Sequence, residues 1–429
     1  MSSRESATEC YVYITLPGET SFVTAARFAL TTNRQGVSTG RLVYGRSYLE
    51  RENAVPIDPV ELELSSRTFS TTRLRGVFGA LRDAAPDAWG RRVIKKRSGK
   101  AELSEMNYLL FSPDDRAGAL GFGLDQEPPA PLRKFNQTMD LERLQELADA
   151  IIADEDLPQG AEAAQVQDLM FGVTSMGGAR PKAVVEDTEG LWIAKFNRKD
   201  DAWNEARVER AMLELGRECG LHTAESRITT IGNRDALLLK RFDRQKTDSG
   251  YRRARMLSAL SLLRAEDTYQ DRDKWSYVFL VEELRRISSQ PKIDAPELFR
   301  RMCFNALISN SDDHPRNHAL IAPNLDWTLS PAYDLTPDPL INEERRDLAL
   351  DCGDMGRYAN ARNLLSQSAR FLLKPEEAKA IIDEMEEIVR NRWYEIARRE
   401  GVTDKDCEKI ARAFAYPGFR LDIAETAYA

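Results

Sequence analysis

A ten-residue polar segment, residues 310–319, is set between two apolar stretches of the chain. Residues 298–308 have the composition of a buried helix, and residues 319–322 read Ala-Leu-Ile-Ala. A loop this polar between two core elements is more than a connection, because loops held by a rigid scaffold often carry functional side chains. The segment offers a carboxylate, Asp312, and, five residues later, an amide, Asn317.

The spacing of these two residues, with Asp334 further along, is typical of protein kinases. There, the first aspartate orients the acceptor hydroxyl and accepts its proton, while the asparagine and the later aspartate hold magnesium. Oxygen ligands of this kind suit Mg²⁺. The alternative for a single aspartate is turn capping, but three such residues in this order favour catalysis. We therefore predict Asp312 as the base, with Asn317 and Asp334 as metal ligands.

The order of predicted elements indicates an α+β protein with two lobes and an additional small α/β subdomain at the N-terminus. Alternating patterns predict strands near residues 12–16, 41–44 and 61–64, and prolines between 126 and 132 mark a linker. Two hairpins flank a helix over residues 204–219, and the pattern beyond residue 250 is helical. We predict domains at 1–130, 131–245 and 246–429, with a nucleotide bound in the cleft between the lobes.

Lys195 ends the second strand of the first predicted hairpin, in the sequence Ile-Ala-Lys-Phe. A kinase strand uses such a lysine to bind the α- and β-phosphates, and a glutamate of the next helix holds it. Glu209 is the preferred partner, because it shares the apolar side of the helix with Met212 and Leu213. Glu205, one turn earlier, is the competing candidate.

Two further segments suit a nucleotide. Gly177 and Gly178 would let backbone N–H groups approach a phosphate, although a tight turn is the better explanation of this pair taken by itself. Lys240 and Phe242 follow the last strand of the β-rich lobe, where a hinge would meet an adenine edge. The charged neighbours of Phe242 also predict a local ion pair.

Composition excludes several classes of protein. Five scattered cysteines form no disulfide or zinc pattern, and no apolar run approaches a membrane span, so we expect a cytoplasmic protein without membrane contact. The net charge of −8 argues against binding nucleic acid over the whole surface. The basic run at residues 91–97 is interpreted as a solvated helix face. His314 and His318 are interpreted as loop support, because Pro315 separates them and no soft ligand is near.

These motifs together resemble the HipA family of bacterial serine/threonine kinases, the toxins of toxin–antitoxin pairs. The resemblance runs from about residue 11 to the C-terminal helices. It implies a kinase-like fold, ATP and Mg²⁺ as cofactors, and growth inhibition by phosphorylation of a cytoplasmic protein such as an aminoacyl-tRNA synthetase. It further implies a helix-turn-helix antitoxin (HipB-like) as partner, through which operator DNA would mainly be contacted.

The same resemblance assigns the phosphate loop and a regulatory site. The phosphate loop would comprise Met176, Gly177, Gly178, Ala179, Arg180, Pro181 and Lys182. Autophosphorylation of Ser175 would place about −2 charge where the ATP phosphates bind, which would silence the kinase. The alternatives to a protein kinase are a small-molecule kinase of the same fold and a non-catalytic co-repressor.

Overall fold

The computed structural model describes residues 7–100, 102–130, 135–155, 180–339 and 342–421. Its first part is an antiparallel sheet with strand order β4-β3-β2-β1-β5. The strands are β1 (Glu9–Thr15), β2 (Phe22–Thr32), β3 (Ser38–Tyr44), β4 (Phe69–Thr71) and β5 (Leu120–Gly123). Val12, Ile14 and Leu16 are buried in the core, so the apolar side predicted for the first strand is confirmed.

The strand predicted at residues 61–64 is wrong. The Asp58 carboxylate accepts hydrogen bonds from the backbone N–H groups of Val60, at 2.6 Å, and Glu61, at 3.1 Å. Such an Asp-centred turn curls the backbone and removes it from the sheet. The longest strand of this part, β2, was not among the sequence predictions.

Short helices surround this first sheet. They are α1 (Arg46–Leu49), α2 (Gly79–Asp83), α3 (Ala88–Ser98) and α4 (Glu105–Phe111), and a helical turn interrupted by positive φ angles occupies Arg73–Gly76. Asp87 caps α3 by accepting from the Gly90 N–H at 2.7 Å, and Gly99 ends it with φ +66°.

The basic run in α3 is a partnered face and not merely a solvated one. Arg91 makes two hydrogen bonds to the Glu105 carboxylate, and Lys96 pairs with Asp154 at 2.7 Å. Arg92 donates to the Ile152 carbonyl at 2.8 Å. The run therefore fastens α3 to its neighbours.

The second sheet has the order β6-β7-β8-β10-β9. Its strands are β6 (Asn136–Gln137), β7 (Lys182–Asp187), β8 (Gly190–Phe196), β9 (Ser226–Ile231) and β10 (Arg234–Lys240), and its helices are α5 (Leu141–Ile152) and α6 (Glu205–Glu218). Both predicted hairpins, β7–β8 and β9–β10, are present. Apolar residues of β8 alternate between two cores: Trp192 and Ala194 pack with α5, and Ile193 packs with the core that contains α6.

The remainder of the described chain is mainly helical, as predicted. After the hairpin β11 (Arg244–Thr247) and β12 (Gly250–Arg253), a small sheet joins β13 (Arg255–Ser258), β14 (Ala319–Ala322) and β15 (Thr328–Leu329). The helices are α7 (Ala259–Leu262), α8 (Tyr277–Ile287), α9 (Pro291–Leu307), α10 (Ala361–Ser366), α11 (Pro375–Arg399) and α12 (Asp404–Ile410). Helix α11 has the bounds predicted for it, and α9 begins earlier than predicted. No helix among the described residues has the length and apolar character that crossing a membrane requires.

A buried charge cluster joins the first part to the second sheet. The Asp243 carboxylate accepts from Arg241 at 2.9 and 2.7 Å, from Arg244 at 2.8 Å and from the Gly118 N–H at 2.9 Å. Arg241 also donates to the backbone carbonyl of Asp115 at 2.6 Å. The side chains of the three charged residues are at most 2% exposed. The predicted ion pair is thus present, and it fixes the segment after β10 against the first part.

We expect Asp243→Asn to lower the free energy of unfolding by about 3–5 kcal/mol, because two buried guanidinium groups would lose their counter-charge. Burial would raise the pKa of Asp243, but the charges of Arg241 and Arg244 outweigh burial and hold this pKa well below its ordinary value. The stabilisation is therefore complete above a pH of about 4, which is the pKa of an aspartate in the unfolded chain. It is lost as the pH falls towards the lower pKa that Asp243 has in the folded protein.

Denaturant unfolding at neutral pH checks this expectation. The control is Glu50→Gln, which removes an exposed contact, 3.9 Å from Arg46, and which should leave stability unchanged. Equal stabilities of Asp243→Asn and the native protein would show that the cluster does not hold the two parts together.

Candidate active site

Lys195 lies on the side of the second sheet that α6 covers. It follows Ile193 by two positions in β8, so both side chains leave the same face. Its ammonium donates to the Glu209 carboxylate at 2.6 Å. Glu209 is buried on α6 beside Met212 and Leu213, because these positions share one face of a helix. The predicted partner of Lys195 is therefore confirmed. The competing candidate, Glu205, lies 3.7 Å from Arg180.

Asp334 supplies a second carboxylate to the same ammonium, at 2.5 Å. Burial would lower the pKa of Lys195, but Asp334 and Glu209 together outweigh burial and raise this pKa above its ordinary value. Burial would likewise raise the pKa of Asp334, and the Lys195 charge lowers it instead. Lys195 and Asp334 are therefore charged at neutral pH, whereas burial raises the pKa of the Glu209 carboxyl above its ordinary value. Asp334 has φ +60°, a left-handed conformation that aspartate tolerates better than most residues do.

The polar segment begins where α9 ends. Ser309, at φ +54°, turns the backbone out of the helix, and its hydroxyl donates to the Ala413 carbonyl at 2.7 Å. Asn310 is buried and donates to the Asn305 side chain at 3.1 Å and to the Asp334 carbonyl at 3.4 Å. The start of the loop is thereby tied both to α9 and to Asp334.

The adjacent aspartates Asp312 and Asp313 have different environments. Asp313 is buried, accepts from the Tyr277 hydroxyl and lies 2.9 Å from His318 Nε2. The Asp312 side chain is exposed to a cavity and makes no hydrogen bond or ion pair with any described residue. Partial burial nevertheless raises the pKa of Asp312 above its ordinary value. An unpartnered carboxylate with a raised pKa is suited to accept a proton.

The two histidines of the segment support its shape. His314 Nδ1 accepts from the Arg316 N–H at 3.1 Å, and His314 Nε2 lies 3.1 Å from Asp267. His318 contacts Asp313, as described above. In the described part of the chain, no cluster of three or more His, Cys, Asp or Glu side chains could hold a metal. The interpretation of both histidines as loop support agrees with these contacts.

Asn317 and Asp334 suit magnesium. Both line the cavity that Asp312 faces. The Asn317 amide nitrogen donates to the Asp312 carbonyl at 3.3 Å, which orients the amide and leaves its oxygen as a free acceptor. One amide oxygen and one ionised carboxylate are a small oxygen donor set. Mg²⁺ accepts such a set because it completes its coordination with water and substrate phosphates.

A smaller cavity, of about 30 Å³, lies beside Lys195, at the end of β10 where the sequence predicted contact with a nucleotide base. Its lining residues are Ile193, Lys195, Ala224, Leu239, Lys240, Phe242, Tyr333 and Asp334. The Lys240 ammonium pairs with the Glu225 carboxylate at 2.9 Å, and the Lys240 N–H donates to the Glu225 carbonyl at 2.8 Å, so both donors are already engaged. Among the described residues, the Phe242 N–H has no acceptor. This N–H is a donor of the kind that an adenine edge requires.

The predicted phosphate loop is described only in part. Ser175, Met176, Gly177, Gly178 and Ala179 lie outside the described residues. The three residues that follow them are attached to their surroundings. Arg180 pairs with Asp201 at 2.5 Å, the Pro181 carbonyl accepts from the Phe196 N–H at 3.0 Å, and the buried Lys182 ammonium donates to Asp87 at 2.6 Å.

The larger cavity, of about 530 Å³, brings together residues from distant parts of the sequence. The polar segment and Asp334 form one wall, and α2, α3 and α4 of the first part form another. Asp83, at the end of α2, accepts from the N–H and hydroxyl of Ser258 at 2.8 and 2.7 Å. The sequence interpretation did not assign the residues of the first part to the site. The only signal in the sequence was a group of charged residues, Arg82, Asp83 and Asp87, and taken alone these residues are typical of the ends of helices.

Family models match most of the chain. The model described as HipA N-terminal domain matches residues 27–123, and the model described as HipA-like C-terminal domain matches residues 174–393, which is more than half of the sequence. Comparison with curated proteins found no match.

A solved structure has a similar fold. HipA from Shewanella oneidensis MR-1, solved with HipB and operator DNA, is similar with a TM-score of 0.67 and 16% identity, over 94% of both chains. The Helicobacter pylori proinflammatory kinase CtkA gives a TM-score of 0.36 and 17% identity, over 55% of this chain and 91% of its own. The expected two-lobed α+β fold is confirmed. Since a single family model covers more than half of its residues, the chain belongs to the HipA family.

Proposed function

We propose that this protein is an ATP- and Mg²⁺-dependent serine/threonine protein kinase that acts as a HipA-like toxin. The observation that carries the proposal is the position of Lys195 between Glu209 and Asp334. A strand lysine held by a helix glutamate, with Asp334 beside it and an unpartnered Asp312 on the same cavity wall as Asp334, is what phosphoryl transfer requires. This geometry has no evident use in a purely binding protein.

Each residue has a defined task in the proposed reaction. Asp312 orients the acceptor hydroxyl and accepts its proton, Lys195 binds the α- and β-phosphates, and Glu209 keeps the ammonium in place. Asn317 and Asp334 would hold Mg²⁺, which neutralises the phosphate charge during transfer. Lys240 and Phe242 would meet the base, with residues 176–182 around the phosphates.

The proposal includes a partner and a mode of regulation. The Shewanella relative was solved with HipB and operator DNA, which supports a helix-turn-helix antitoxin as partner here. With a net charge of −8, this chain would leave most DNA contacts to the antitoxin. Autophosphorylation of Ser175 would oppose ATP binding by like-charge repulsion. An aminoacyl-tRNA synthetase is the substrate class expected from the family resemblance.

Asp312→Asn should reduce phosphotransfer by about 10²–10⁴-fold, the usual contribution of a general base, with little change in thermal stability. The matched variant is Asp313→Asn. It replaces one of the two buried carboxylate oxygens that face Tyr277 and His318 with an NH₂ donor, and it should lower stability by about 1–3 kcal/mol. The measurements are phosphorylation by radiolabelled ATP and phosphoproteomics after induced expression of each protein. A phosphoserine and phosphothreonine profile that is the same for the native protein and Asp312→Asn would contradict the kinase assignment.

Glu209→Gln should lower kcat/KM for ATP by about 100-fold, because a shift of Lys195 by roughly 1 Å costs this much. Glu205→Gln, one helical turn away, is the control and should retain most of the activity, since Glu205 contacts Arg180 and not Lys195. Steady-state kinetics of both variants, with ATP as the varied substrate, show which glutamate supports Lys195. A larger loss in Glu205→Gln than in Glu209→Gln would mean that the wrong glutamate has been assigned.

A further inference from the structure

The carboxylates that line the 530 Å³ cavity beside Asp312 mostly have partners. Asp87 pairs with Lys182, Glu105 with Arg91, Asp267 with His314 and Asp334 with Lys195. Asp83 accepts two hydrogen bonds from Ser258, and Glu266 accepts from the Leu74 N–H at 2.8 Å. Among the described carboxylates of this cavity, Asp312 is left without a partner.

Among the arginines of the same cavity, Arg82 and Arg316 are less well compensated than Arg91, which pairs with Glu105. Arg82 makes one hydrogen bond, to the Pro86 carbonyl at 3.3 Å, and no ion pair with any described residue. The closest carboxylate contact of Arg316 is to Asp83, at 3.9 Å, and Asp83 is already engaged by Ser258. Arg75 is 82% exposed, so water solvates its charge. Arg82 and Arg316 are half-buried and have less access to water.

The charge of Arg82 persists at neutral pH. Burial, together with the like charges of Arg91 and Arg316, lowers the pKa of Arg82 to about 10. The guanidinium therefore stays protonated in an environment that disfavours its charge. Glu105 and Asp83 offset these effects only in part, so an anion that enters the cavity would add counter-charge to Arg82 in a region with little water.

The two arginines lie on the acceptor side of the site. The cavity assigned to the base shares Tyr333 and Asp334 with the larger cavity, and neither Arg82 nor Arg316 lines it. Both arginines line the larger cavity together with Asp312, which would receive the acceptor hydroxyl. An anion bound by them would therefore be close to the acceptor residue.

We propose that Arg82 and Arg316 form a subsite for the carboxylate of an aspartate or glutamate that flanks the phosphorylated serine or threonine in a protein substrate. This inference rests on the proposed kinase function. Guanidinium groups suit the role because they bind carboxylates through two parallel hydrogen bonds. Arg82 comes from the N-terminal domain and Arg316 from the polar segment, so the subsite exists only where these two parts meet.

Peptide binding tests the subsite independently of catalysis. The probes are fluorescent peptides that contain one serine. The peptides of one set differ only at one flanking position, which carries Glu, Gln or Lys, and each set places this position at a different distance from the serine. Anisotropy is measured with Asp312→Asn, in the presence of Mg²⁺ and a non-hydrolysable ATP analogue. At one or two positions, Glu should tighten binding by about 10-fold over Gln, as expected for a charged hydrogen bond.

Variants of Arg82 identify the residue responsible. In the Asp312→Asn background, Arg82→Gln should reduce the preference for Glu to within about twofold, and Arg82→Glu should reverse it in favour of Lys, since like charges repel. Arg46→Gln is the control, because Arg46 is an arginine of the same domain that is 93% exposed. It should keep the preference for Glu.

Several results would overturn the subsite. These are equal affinities for the Glu, Gln and Lys peptides, no binding of any of them, or the same response to Arg46→Gln. Weaker binding of the ATP analogue by Arg82→Gln, with the peptide preference intact, would show that the arginine serves a nucleotide phosphate instead. If the peptide preference is found but the native protein transfers no phosphate, the kinase function fails and the subsite stands.

Discussion

The ammonium of Lys195 cannot be buried without compensation, and this requirement organises the centre of the molecule. Removing such an ion from water costs several kcal/mol unless opposite charges and hydrogen bonds replace the water. Glu209 and Asp334 provide both, at 2.6 and 2.5 Å. These carboxylates come from α6 and from the segment after β15, so one charge fixes three elements relative to one another. Asn310, which donates to the Asp334 carbonyl, extends this constraint to the polar segment.

The N-terminal domain is attached to this centre by buried polar contacts. Asp243 connects the end of β10 to Gly118, Asp87 binds Lys182 at the start of β7, and Asp83 binds Ser258 before α7. Each contact includes a residue that is, or that directly follows in sequence, one proposed to bind the nucleotide or the acceptor: Lys182 itself, Asp243 after Phe242, and Asp83 after Arg82. The domain therefore forms a wall of the cavity that we propose as the active site. A change in its packing would alter the cavity as well as stability.

Local sequence pattern predicted the parts of the site that depend on one element or on neighbouring ones. Alternation in β8 and helical spacing in α6 are enough to bring Lys195 and Glu209 together, and the five-residue spacing distinguishes Asp312 from Asp313. The same reasoning failed at residues 61–64, where the turn built around Asp58 prevented strand formation. A periodic pattern contains no information about such a side-chain contact with the backbone.

Contacts between distant residues could not be predicted in this way. Asp87 and Lys182 are 95 positions apart, and Asp83 and Ser258 are 175 apart. In the sequence alone, Asp83, Asp87 and Ser258 look like ordinary polar residues at the ends of elements, and Lys182 was assigned to the phosphate loop and not to a contact with Asp87. Their pairing depends on how whole sheets and helices pack, which a single sequence does not specify locally. The acceptor wall of the cavity was missed for this reason.

Arg82 and Arg316 in the cavity and the net charge of the whole protein have opposite consequences for an acidic partner. A net charge of −8 opposes the approach of an acidic protein at long range, but at physiological ionic strength this repulsion decays over about 8 Å. Inside a half-buried cavity, screening by salt is weaker, and the electrostatic energy of a bound anion depends mainly on local groups such as Arg82 and Arg316. Selection of an acidic segment must therefore occur after encounter, by contact with the cavity. Added salt should then relieve the long-range repulsion more than it weakens the bound state, since mobile ions reach the protein surface more readily than its interior.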